Sequence, residues 1–145
     1  MKYKVGRPGR IIVVKFDDHD DVLEGIVDIA RKEDIRAGVF TLLGGMREGR
    51  IVVGPETEEL PPTPVWREIE ESHEVVGQGT IFWEGEEPKI HFHGAFGKKD
   101  RTRVGCLRER AKTFLVLEAV ITEIDGVRGT REIDPSIGMA ILKLH

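Results

Sequence analysis

The sequence predicts an α+β domain, a mainly antiparallel β-sheet packed with one main α-helix. Three observations carry that reading. One segment alone has apolar residues at helical spacing. The other apolar stretches are short runs rich in β-branched and aromatic residues, and the turns between them are short enough to join antiparallel neighbours.

In chain order, RIIVVKF is a continuous apolar run and reads as a buried strand. DDHDDVLEGIVDIARKEDI follows, with Val22, Leu23, Ile26, Val27 and Ala30 on one helical face. Asp17 or Asp18 is placed to cap it, acids crowd its first turn, and Arg31 and Lys32 sit in the last. AGVFTLLGGM and GRIVVG are strands punctuated by glycine, and Gly44 and Gly45 mark a tight turn or bulge. PETEELPPTP is too polar and too broken by proline to be regular. Strand signals resume in VWREIE, EVVGQGTIFW, PKIHFHGAF, RTRVGCL, TFLVLEAVITEI and GMAILKL, with turns at WEGEEP, GKKD and IDG.

At 145 residues the chain fits one domain, residues 1–145, with no repeat or linker to divide it. A single cysteine excludes an internal disulfide. No apolar run approaches the roughly 20 residues of a membrane helix, and the first residues lack the apolar block of a signal peptide, so a cytoplasmic protein is expected. The formal charge of -4 is the wrong sign for a chain that coats phosphate backbones, and any DNA contact must use a local patch. Charged residues make up 33% of the chain, asparagine is absent and glutamine occurs once, a bias that leads us to expect a thermophilic protein.

The chemistry concentrates in HFHGAFGKKDRTRVGCL. On a strand, His91 and His93 project from the same face, with roughly 6 to 7 Å between their Cα atoms. A hairpin centred between Lys98 and Lys99 places Cys106 opposite His91 and Val104 opposite His93, so that all three candidate ligands converge. A one-residue bulge would turn Cys106 to the other side. Ile90, Phe92, Gly94 and Phe96 then form the core face. Two imidazoles and a thiolate are a donor set that zinc accepts, with the fourth position open. The plainer alternative is a pair of solvated or hydrogen-bonded histidines.

The order of LLGGM, the HxH strand, the hairpin, VGCL, FLVLEAVI and REIDPSIGMAIL resembles the plants-and-prokaryotes conserved (PPC) domain, over essentially the whole chain. In that family the second hairpin strand typically reads Gly-Gly-His-Leu, and its histidine joins the HxH pair in a cluster that binds zinc in some bacterial members. The resemblance puts Cys106 in the place of that third histidine and keeps only the second glycine, Gly105. It further implies a homotrimer with the cluster in a cleft between subunits. For the plant members it implies a transcription-related role in which a separate AT-hook contacts DNA.

Other residues have weaker claims. Gly6, Arg7 and Pro8 match part of an AT-hook core, or a turn entering the first strand. Lys98, Lys99, Arg101 and Arg103, followed by Arg108, Arg110 and Lys112, form the densest basic run, either a DNA-contacting patch or a solvated hairpin tip. Glu118 interrupts an apolar strand face, as a residue at an interface or as a partner or general base near the histidines. Arg131 and Asp134 suggest an ion pair or turn bond between the last strands. His19, His73 and His145 have no evident partners. Two functional classes follow. The first is a non-catalytic homotrimeric module with a zinc site and a DNA-associated or regulatory role. The second is a metal-dependent enzyme acting on a small molecule in the same cleft.

Overall fold

The computed structural model describes all 145 residues. Its elements are β1 (Arg7–Asp17), α1 (Val22–Lys32), β2 (Ala37–Pro55), β3 (Pro64–Ile69), β4 (His73–Glu84), β5 (Glu87–Lys98), β6 (Arg101–Asp125), β7 (Gly129–Asp134) and β8 (Met139–Leu144). The α+β expectation holds, with one helix and a sheet that is antiparallel apart from a single β4–β7 bridge. No helix is long and apolar enough to cross a membrane.

Two long strands organise the sheet. AGVFTLLGGM and GRIVVG are one strand, β2, and RTRVGCL and TFLVLEAVITEI are one strand of 25 residues, β6. Both are bent where they cross. The β2–β6 register shifts at Gly44–Met46, and Arg110 and Leu115 of β6 take positive φ. A side chain at Gly44 or Gly45 would meet the carbonyl oxygen of Val116 or Phe114 at 2.6 or 2.5 Å, so glycine is what allows the two backbones to approach. Bending lets β2 pair with β4 through its first half and with β3 through its second. β6 likewise pairs with β5 through its first half and with β1 through its last. Because β4 also pairs with β5, the strands β2, β6, β5 and β4 close into a ring.

Phe40, Leu42, Met46, Ile51, Phe92, Phe96 and Leu107 fill the buried side of this ring and join Ile26 and Ala30 of α1 in one core. Asp21, not Asp17 or Asp18, caps the helix, its carboxylate accepting from the backbone of Leu23 and Glu24 at 3.0 and 3.1 Å. The earlier acids are used before the helix starts. Asp20 accepts from the backbone of Asp17, while Asp18 accepts from Arg47 and from the backbone of Leu115. β1 also departs from expectation. It is an edge strand paired only with β6, so Phe16 is buried while Ile11 and Val13 are 66% and 76% exposed on the outer face.

Candidate metal centre

The β5–β6 hairpin turns on Lys99 and Asp100, with Lys98 opposite Arg101 and Lys99 in the left-handed region. The register therefore differs by two residues from a turn centred between Lys98 and Lys99, and Cys106 stands opposite His93 instead of His91. A slip of two is one side-chain period, so the shared face survives. The Nε2 atoms of His91 and His93 are 3.0 Å apart, and the donor atoms of His91, His93 and Cys106 all lie within 4.8 Å of one another. A tetrahedral zinc would draw such donors to separations of roughly 3.5 Å. That is a small side-chain adjustment, and the donor set fits the ion.

One row of the sheet carries this site. Gln78, His93, Cys106, Val52 and Trp66 are successive ladder partners across β4, β5, β6, β2 and β3. The cluster thus lies on the outer face of the ring, opposite the core. Beside it is a cavity of about 570 Å³, walled by Val52, Pro55, Pro62, Pro64 and Trp66 together with Met139 of β8. Arg50, bonded to Glu109 at 3.0 Å, lies 4.2 Å above the ring of Trp66 and steadies that wall.

Partial burial, then the neighbouring His93, Arg131 and Arg108, pushes the His91 imidazole down to about 4, so it is neutral at ordinary pH, and across the 3.0 Å contact one of the two rings donates its N–H to the other's lone pair. Burial pushes the Cys106 thiol up, with Arg108 and Arg131 opposing. An arriving cation would have to displace the thiol proton.

The remaining candidates are elsewhere. Glu118 is exposed on the same outer face but pairs with Leu43 and Lys15, with β2 and β4 between it and β5. It does not touch the histidines of its own chain. Lys98 is bound to Glu71, Arg103 donates to the backbone oxygen of Glu68 at 2.9 Å, and Lys99 and Arg101 are exposed at the hairpin tip. Arg7 and Pro8 are already in β1, backed by Asp125 and Ile124, and do not form the free arm that minor-groove insertion uses. No ion pair joins Arg131 to Asp134. Asp134 instead accepts from Ser136 in the turn, and Arg131 donates to Thr80 at 3.0 Å. The sequence reading placed Arg108 only in the basic run, although its same-face position two residues after Cys106 is a signal that could have found it. Arg131 was not, because only the β4–β7 bridge brings it alongside.

A bent-sheet α+β domain with an outward His/His/Cys cluster defines the class. The chain belongs to the Plants and Prokaryotes Conserved (PCC) domain family, whose model matches residues 3–125. No curated protein matches it. Among solved structures, a metal-containing protein from Archaeoglobus fulgidus superposes with a TM-score of 0.86 at 21% identity, covering 99% of both chains. A plant- and prokaryote-conserved protein from Pyrococcus horikoshii gives 0.85 at 21% identity, over 99% of this chain and 97% of that one. A Ralstonia eutropha JMP134 protein, provisionally described as DNA-binding, gives 0.78 at 21% identity over 92% and 90%. At these identities the likeness establishes the fold.

Proposed function

We propose that the chain is a homotrimeric module that binds zinc through His91, His93 and Cys106 in a cleft between subunits. The observation that carries this reading is the convergence of three donor atoms within 4.8 Å beside an open cavity. The description of the Archaeoglobus fulgidus relative as metal-containing supports it. Assembly is supported by the uncovered outer face, where Leu43, Val76 and Val104 are 54%, 61% and 64% exposed on neighbouring strands. A second copy of the chain offers the matching apolar surface, and Glu118 lies on that face as an interface residue.

Metal analysis of protein purified without an affinity tag, alongside His93→Ala, tests the site. Stoichiometric zinc in the parent and its loss in the variant are expected. A parent protein free of stoichiometric metal under reducing conditions rules the site out.

A DNA-associated role is the second reading. It is supported by the exposed Lys99 and Arg101 at the hairpin tip, which three subunits would present together, and by the provisional description of two relatives as DNA-binding. Duplex binding that weakens as salt rises is expected, and no binding at low salt excludes it.

A further inference from the structure

We infer that Arg108 and Arg131 form an anion-binding site beside His91, suited to the phosphate or carboxylate group of a small organic ligand. Both arginines and His91 line a recess of about 490 Å³. Neither Arg108 nor Arg131 is paired with a carboxylate, and of the arginines left unpaired they are the two that line this recess. The acids around them are engaged, Glu84 with Lys89, Glu132 with Lys143 and Asp134 with Ser136.

Arg131 is half-buried and donates one hydrogen bond, to Thr80 Oγ1 at 3.0 Å, which fixes the guanidinium while leaving its other donors free. Burial and the neighbouring Arg108 both hold it below the usual arginine range, as expected for two like charges confined together. An oxyanion between them relieves that repulsion and takes the paired N–H donors that a guanidinium presents to carboxylate or phosphate.

Ile90, Met139 and Ile141 supply apolar wall for the rest of the ligand, and the volume suits a small molecule. His91, Arg108 and Met139 also line the cavity beside the donor cluster, so a molecule held here lies next to the proposed metal position. The anion site stands on the arginines and does not require the metal.

Calorimetric titration with inorganic phosphate and, separately, malonate tests this on the parent, R131Q, R108Q and the double variant, each with and without added zinc. Binding of either anion by the parent is expected, weakened about tenfold by each single substitution. Preference between the probes identifies the oxyanion. Anion binding without zinc uptake upholds this site while the metal reading fails, and zinc uptake without anion binding sinks this site alone. Equal affinity in the parent and a folded double variant overturns the proposal. A short DNA duplex whose binding depends on Arg131 in the same way overturns the assignment to a small ligand.

Discussion

His93 and Cys106 stand directly opposite each other across the β5–β6 ladder, and Val52 of β2 is the next partner in the same row. The cysteine is therefore held between two strands, at 4% exposure, while both histidines remain open to the outside. Its position is fixed by the sheet and theirs by side-chain rotation.

From that asymmetry, Cys106→Ser is expected to keep the fold and lower zinc affinity by about 100-fold or more, since losing a ligand costs more than losing a group that supports one. Competition with a chromophoric chelator measures it. Affinity should also rise with pH through the neutral range, because burial keeps the thiol protonated in the metal-free protein.

Gly44→Ala is expected to destabilise the protein by about 3 kcal/mol, combining a positive-φ penalty with a Cβ pressed to 2.6 Å from the Val116 carbonyl. Urea unfolding checks this. An unchanged midpoint would show that β2 and β6 need not approach so closely there.

The turn before the helix predicts a pH effect. Arg47, and then the backbone N–H of Leu115, hold the Asp18 carboxyl below the usual aspartate range. On acidification the unfolded chain takes up this proton first. The contribution is thus complete above the ordinary aspartate pKa and disappears as pH falls through the lower folded value. Melting midpoints of the parent and Asp18→Asn should converge at low pH and separate above it.

Val76→Asp places a charge in the middle of the exposed apolar rows without touching the core. Sedimentation analysis should show the parent as an assembly and the variant as monomer. A monomeric parent would remove the trimer from the proposed function.

Alternation along single strands made much of this visible in the sequence. His91 and His93 share a face by period, the core side of β5 followed from Phe92 and Phe96, and the two glycines of LLGGM marked the bend. The register was off by two because a run of polar turn residues does not reveal which pair forms the link. β1 read as buried because β-branched residues favour strands whether their outer face meets a core or another surface. The closure of β2, β4, β5 and β6 into a ring, and the arrival of Arg131 beside Thr80, depend on long-range pairings that leave no local periodicity.

Cys106 is the single thiol of the chain, enclosed yet bordering the cavity. A sulfhydryl-directed dye therefore labels one known atom, and its reaction rate becomes a readout of that atom's surroundings with no engineered label. Slow modification of the free protein, halted by an added cation or by an occupant of the neighbouring recess, would follow both events from a native reporter.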